Sequence, residues 1–297
     1  MPASQILLAM FVTNSGTGKV SESCITTWLS GIHRHHQLNN APWLGEDILQ
    51  LARKGAAANV SDEAARTPCS PITLTHIITL HTHLDLSNSF DAAVFAVACI
   101  AFWACCRLGE LTTPSRNAFN PTIHVPRSTP IKSGTAREGR DFVTVHIPYS
   151  KTRKACGDDI QLIDIDHITN PITAFKNHMD RNPGIPNNAP LFAFRTADLG
   201  WAPMTKLWFM EHCNEVWKTA GMESLAGHSF RIGGTTHLLA MGIDPWVVMV
   251  IGHWTSTAFV HYWRKIENII PRFISSVHHS VSLSARMSRI CQGLNRH

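Results

Sequence analysis

The sequence is poor in tyrosine. Its 297 residues include only two, Tyr149 and Tyr262, against 9 tryptophans and 13 phenylalanines. It also lacks paired cysteines: Cys24, Cys69, Cys99, Cys105, Cys106, Cys156, Cys213 and Cys291 never form a C-x-x-C pair, which argues against zinc ribbons and thioredoxin-like motifs and reads as reduced thiols. No apolar run is long enough for a membrane. The longest uncharged one, the fifteen residues 92–106 between Asp91 and Arg107, falls short of the roughly 20 needed and reads as a buried helix. The opening MPASQILLAMFV carries no basic leader and no small-residue cleavage site, so an unsecreted, intracellular protein is expected. Charged residues are only 16% and hydrophobic ones 44%, which excludes disordered and collagen-like classes.

What is present is a chain long enough for a substantial core, expected as two domains. Lysine plus arginine number 26 against 21 acidic residues, a formal charge of +5, which suits a polyanionic partner. Residues 3–13 read as a helix that NSGTGK breaks. Ser21 is placed to cap a second helix carrying Ile25, Trp28, Leu29 and Ile32, and a third helix follows Pro42. These make a helical domain over 1–60, and the polar, proline-containing stretch 61–71 reads as a linker to a second domain over 72–297. There, Thr73 opens a helix and Phe90–Leu111 reads as one long buried helix with Arg107 and Glu110 near its end. Alternating runs at 142–152 and 159–165 predict a small antiparallel sheet, with Tyr149 inside a strand, and helices return from Pro171 onward.

The segment HSFRIGGTTHLLAMGIDPWVVMVIGHWTSTAFVHYWR, residues 228–264, concentrates the chemistry. His228 and Arg231 are three apart and share a helix face. Gly242, Asp244 and Pro245 fit a helix end followed by a new helix start. Convergence of His228, Arg231, His253 and Tyr262 would make an anion site with a nucleophile. The arginine would supply a fixed, bidentate charge, and cations or a base would activate a phenol whose ordinary pKa is about 10.

His228-Ser229-Phe230-Arg231, Gly252-His253-Trp254 and Tyr262 resemble the H-x-x-R, G-H-[HW] and nucleophile elements of the tyrosine recombinase (phage integrase) family. The separations, 253 − 231 = 22 and 262 − 253 = 9, are typical of it. CCRLGEL resembles the family's first arginine box, which assigns Arg107 with Glu110 as support. YSKTRK resembles the β-hairpin lysine element, which assigns Lys151. The resemblance covers roughly 66–275 and, more loosely, the preceding helices. The phrases FDAAVFAVACIAFWACCRLGEL and HSFRIGGTT are most similar to recombinases of eukaryotic, especially fungal, mobile elements, which would make the protein nuclear; otherwise it would be cytoplasmic.

The resemblance implies a mainly α protein with a small antiparallel β-sheet: a helical (SAM-like) core-binding domain, here N-terminally shortened, and an α+β catalytic domain. It implies metal-free, ATP-independent strand transfer on double-stranded DNA, with no cofactor, by a tetramer assembled on two duplexes. Tyr262 would be the nucleophile forming a 3′-phosphotyrosyl link. Arg107 and Arg231 would hold the phosphate, and Lys151 would act as general acid. His228 would move the proton, His253 would donate a hydrogen bond, and Trp254 would support the site. Lys19, Arg34, Arg53 and Lys54 in the first domain, and Arg153 and Lys154 beside Lys151, are candidate DNA contacts that read equally well as solvated charges. Three rivals stay open: a DNA-binding protein that has lost catalysis, a type IB topoisomerase-like relaxing enzyme, and a metal-dependent enzyme or zinc module. The last is weakened because His33/His35/His36, His81/His83 and His212-Cys213 lack paired ligand spacings.

Overall fold

The computed structural model describes residues 2–59, 69–137, 139–256 and 259–260. The chain divides into two compact units, residues 1–68 and 69–297. The first is helical: α1 (Gln5–Gly16), α2 (Glu22–Leu38) and α3 (Asp47–Ala58). Ser4 starts α1 by accepting the Leu7 N–H, and the helix runs through Asn14-Ser15-Gly16 where a break was expected. The glycine keeps α1 close to α2 there, since a Cβ at Gly16 would lie 2.8 Å from Ile25 Cδ1 and push that side chain aside. Leu8 and Val12 of α1, Ile25 and Leu29 of α2 and Leu49 and Ala56 of α3 form the core of this unit. Of the expected linker, residues 61–68 lie outside the described residues, and Cys69–Pro71 cluster with the second unit.

The second unit opens with α4 (Leu74–His83), α5 (Ser89–Trp103) and the short α6 (Leu108–Leu111). Eleven consecutive residues of α5, Ala92–Phe102, are buried. Such a helix must be wrapped on every side, and α4, α7 (Pro171–Arg181) and α9 (His228–Ala240) pack against it. The long helix expected over 90–111 is instead two. Cys105 takes a left-handed φ of 49°, and the Cys105 and Cys106 N–H groups return to Phe102 O at 3.3 Å and Ala101 O at 3.1 Å. That pairing is a Schellman termination, built here on cysteine where glycine is usual. Arg107 therefore caps the start of α6 and does not ride on the end of a long helix.

Between α6 and α7 lie β1 (Ile131–Thr135), β2 (Asp141–Ile147) and β3 (Asp158–Ile163), an antiparallel sheet in the order β1-β2-β3. Val143, Val145 and Ile147 alternate inward with Ile160 and Leu162 of β3, the period of two that a half-buried sheet requires. β2 stops at Ile147 because Pro148 has no N–H for the ladder. Tyr149 and Lys151 consequently lie in the β2–β3 loop, not in a strand. A two-stranded hairpin, β4 (Phe194–Arg195) with β5 (Trp201–Ala202), precedes α8 (Lys206–Thr219). After α9, Gly242 at φ 86° ends the helix and Asp244 starts α10 (Pro245–Ile251) by accepting the Trp246 N–H at 2.9 Å. Among the described residues no helix is long and apolar enough to cross a membrane.

Candidate active site

Arg231 is the centre of the arrangement. It is fully buried on α9, at 1% exposure, where a guanidinium is tolerated only with polar partners. Its Nη1 donates to Cys105 O at 2.7 Å and its Nη2 to Gly252 O at 2.6 Å, while its guanidinium carbon sits 3.9 Å from the centre of the Trp254 ring. Both carbonyls belong to helix C-termini. α10 ends as α5 does: His253 takes φ 55°, its N–H returns to Val250 O, and the Trp254 N–H returns to Met249 O, both at 3.0 Å. One cation thus ties two left-handed helix ends whose carbonyl dipoles favour positive charge. Gly252 permits the stack, since a Cβ there would lie 1.7 Å from Trp254 Cζ3.

The other candidates hang on this knot. Arg107 follows Cys105 by two residues and pairs through Nη1 with Glu110 Oε1 at 2.8 Å; its backbone N–H donates to Glu110 Oε2 at 2.9 Å. Glu110 is buried and Arg107 half-buried, so the carboxylate orients the guanidinium without enclosing it. Burial lowers the Arg231 pKa, the nearby charge of Arg107 adds to that, and Glu110 opposes it. The two arginines therefore sense one another across the site.

His253 Nε2 lies 3.2 Å from Asp159 O. A carbonyl only accepts, so Nε2 carries the hydrogen. The expected role of His253 as a donor to phosphate would then need a protonated Nδ1 or release of this contact. The carbonyl of His253 accepts from Thr152 Oγ1 at 3.5 Å, which binds the loop holding Lys151 to this corner. Lys151 itself is exposed. His228 is exposed on the first turn of α9, one turn before Arg231. The α9 start sits on α6, since a Cβ at Gly227 would come within 2.7 Å of Leu108 Cδ1.

Arg107 is thus paired with Glu110 and Arg231 with Trp254. Arg231 also holds the carbonyls of Cys105, two residues before Arg107, and of Gly252, next to His253. Lys151 neighbours the Thr152 that reaches His253, His228 lies one turn before Arg231, and Tyr262 lies outside the described residues. Several partners were not legible beforehand: the Cys105 and Gly252 carbonyls, Thr152 and Asp159. Only Gly252 carried a signal, a glycine directly after an apolar helix.

No family profile matches the chain, and no curated protein matches it. Solved structures do. The XerH site-specific recombinase bound to palindromic difH substrate is 12% identical over 93% of this chain and 73% of that one, with a TM-score of 0.55. The Tn1549 transposon integrase in complex with a circular intermediate DNA is 11% identical over 98% and 85%, with a TM-score of 0.51. This is the tyrosine-recombinase fold. A Flp recombinase–Holliday junction complex is also similar, at 13% identity and a TM-score of 0.42, and this chain spans 43% of its length.

On the tyrosine-recombinase fold the remaining candidates are scattered. Lys19 Nζ donates to Asn14 O at 2.7 Å, Arg34 Nη1 to Gln37 Oε1 at 3.3 Å and Arg53 Nη2 to Thr26 Oγ1 at 3.1 Å, while Lys54 is exposed. Arg153 is exposed and pairs at 3.5 Å with the buried Asp158, which makes it partly a strut of the β2–β3 loop. Lys154 is exposed at φ 55° and bridges Ser150. Among the described residues no group of three or more His, Cys, Asp or Glu is placed to hold a metal ion. His212, one of the residues a zinc module would use, is bound instead to Asp91 at 2.8 Å.

Proposed function

We propose that this protein is a site-specific DNA recombinase that breaks and rejoins strands through a 3′-phosphotyrosyl intermediate. The observation that carries the reading is the knot around Arg231, which joins the first arginine box, the H-x-x-R helix and the G-H-W turn on a tyrosine-recombinase fold.

In the proposed chemistry the Tyr262 phenol oxygen attacks a backbone phosphorus, and the bond from phosphorus to the 5′-oxygen breaks. The phenol proton passes toward His228, and Lys151 gives a proton to the departing 5′-oxygen. Rejoining runs the same steps backward, so the bond energy is kept and no nucleotide cofactor is consumed. The transition state gathers negative charge on the nonbridging oxygens, and fixed cations aimed at it supply the largest stabilisation. Arg107, half-exposed and held by Glu110, is suited to that contact. Arg231 reinforces the positive field from beneath. Exchange between two duplexes takes four such cuts, and therefore four protomers on the DNA.

One observation favours a second reading, a DNA-binding protein without catalysis: Arg231 is 1% exposed and committed to two carbonyls and a tryptophan face. Trapping on a nicked suicide duplex in EDTA separates the two. The wild type should become covalently joined to DNA and Tyr262→Phe should not. An adduct that persists in Tyr262→Phe would overturn the nucleophile, and a wild type that binds DNA without ever forming the adduct would favour the second reading.

A further inference from the structure

The loop that carries Lys151 is a closed turn around a buried serine. The Ser150 N–H donates to Lys154 O at 3.1 Å, its carbonyl accepts the Lys154 N–H at 2.9 Å, and its Oγ accepts the Arg153 N–H at 2.9 Å. Lys151 and Thr152 lie between the two bridged residues. Gly157 closes the base of the loop, since a Cβ there would collide with Ile147 O at the end of β2.

Two contacts tie this loop to the end of α10, and His253 makes both. Its carbonyl accepts from Thr152 Oγ1 at 3.5 Å on one side of the loop, and its Nε2–H donates to Asp159 O at 3.2 Å on the other, where β3 begins. Asp159 is held to β2 in turn, with its carboxylate 2.7 Å from His146 Nδ1. The carbonyl just before, Gly252 O, is the one that accepts Arg231 Nη2 at 2.6 Å. Successive carbonyls of one turn therefore meet the buried arginine and the lysine loop, and the left-handed φ of His253, 55°, sets the angle between them.

Lys151 itself is exposed, beside the tethered threonine. A general acid works only within hydrogen-bond reach of the atom that needs its proton, about 2.6–3.2 Å. We propose that Thr152 and His253 are positioning residues for Lys151: His253 clamps both sides of the β2–β3 loop and so fixes where the lysine releases its proton. This rests on the strand-transfer reading, and it replaces the expected contact of His253 with phosphate, because the Nε2–H is already bound to Asp159 O. Both residues act through Lys151, without touching the substrate.

Sulfur in place of the bridging 5′-oxygen separates the two roles for His253. When the phosphorus–oxygen bond breaks, the oxygen leaves with the electron pair and takes a proton from the Lys151 ammonium, which becomes a neutral amine. When a phosphorus–sulfur bond breaks, the pair stays on a thiolate, which leaves without a proton because a thiol is a far stronger acid than an alcohol. The cleaved phosphate is first located from the covalent adduct of the wild type, and duplexes with oxygen or sulfur at that position are compared under single turnover. On oxygen, Lys151→Ala should cut about 10²–10⁴-fold more slowly than the wild type, the usual contribution of a general acid. Thr152→Val and His253→Ala should be slower by roughly five- to tenfold, the effect of one lost hydrogen bond. On sulfur all three should cut at the wild-type rate, and Thr152→Ser, which keeps the hydroxyl, should do so on oxygen as well. The proposal is overturned if Thr152→Val cuts oxygen at the wild-type rate, or if Thr152→Val or His253→Ala stays as slow on sulfur as on oxygen. Either result leaves strand transfer standing, and a persistent His253→Ala defect returns that residue to the phosphate. A wild type that never forms the adduct removes strand transfer and the positioning roles with it.

Discussion

Arg231 has two demands on it, and they point to different measurements. As a phosphate ligand its loss would be felt only in the reaction. As the tie between Cys105 O and Gly252 O, its loss takes the guanidinium donors from two buried carbonyls and the cation from the Trp254 face. Each orphaned buried acceptor costs about 1–3 kcal/mol. Lysine keeps the charge but presents one ammonium, which cannot span both carbonyls and also lie flat on Trp254. Arg231→Lys is therefore expected to lose about 2–4 kcal/mol of unfolding free energy along with the covalent adduct. Urea denaturation checks it: a variant that unfolds at the wild-type midpoint yet forms no adduct would assign Arg231 to the chemistry alone. The cysteines beside it are not competing nucleophiles, since burial pushes the Cys105 thiol up to about 11 and raises the Cys106 thiol well above its ordinary value.

At the scale of elements the site depends on α9 lying directly on α5. Gly234 allows it, since a Cβ there would fall 1.9 Å from Phe102 O, and Gly233 lets the same helix approach the segment before α4, where a Cβ would fall 1.9 Å from Ile72 O. Alanine is the better helix former by about 1 kcal/mol, and at Gly31, on an exposed turn of α2 with nothing within 4 Å, Gly→Ala should stabilise by up to that amount. Gly234→Ala meets backbone that cannot yield without moving the end of α5, and with it Cys105 and Arg107. It should cost more than about 3 kcal/mol or prevent folding, as circular dichroism and urea titration would show. A Gly234→Ala protein as stable as the wild type would mean that α9 does not rest on α5 this closely.

The same contact explains what was legible in the sequence and what was not. The α9 and α10 boundaries could be read because their signals are local: His228 and Arg231 one turn apart, then Gly242, Asp244 and Pro245 in order. The apolar run of α5 announced its burial, and the alternation in 142–147 announced a strand. The break at Cys105 was hidden because a left-handed residue is signalled by glycine, and cysteine holds that position only through tertiary contacts. Arg231's partners were hidden for a deeper reason, since every residue carries a carbonyl and only the fold decides which two meet a guanidinium. Strand β1, IKSGT, has one large apolar residue and gave no alternation to detect.

Across the whole molecule the buried histidines link the fold to pH. His178 is wholly buried on α7, with Nε2 donating to Leu191 O at 3.0 Å and Nδ1 accepting from Asn182 Nδ2 at 3.1 Å. The neutral ring is therefore satisfied on both sides, and a second proton would face the Asn182 amide donor without solvent. Burial first, and the Arg127 charge after it, lower the pKa from 6.5 to about 4, with the Leu191 bond opposing them. Burial likewise lowers His76, His124 and His237. The unfolded chain then binds more protons than the folded one between about pH 4 and 6.5, so stability rises with pH across that window. The contribution is fully present above 6.5 and lost as the pH falls toward 4. For His178 the shift from 6.5 to about 4 corresponds to about 3 kcal/mol. The urea midpoint should therefore fall steeply between pH 6.5 and 4.5. In His178→Gln, whose amide can still donate to Leu191 O but does not titrate, the fall should be shallower from a lower starting stability. Parallel pH profiles for the two proteins would remove His178 as the source of the acid sensitivity.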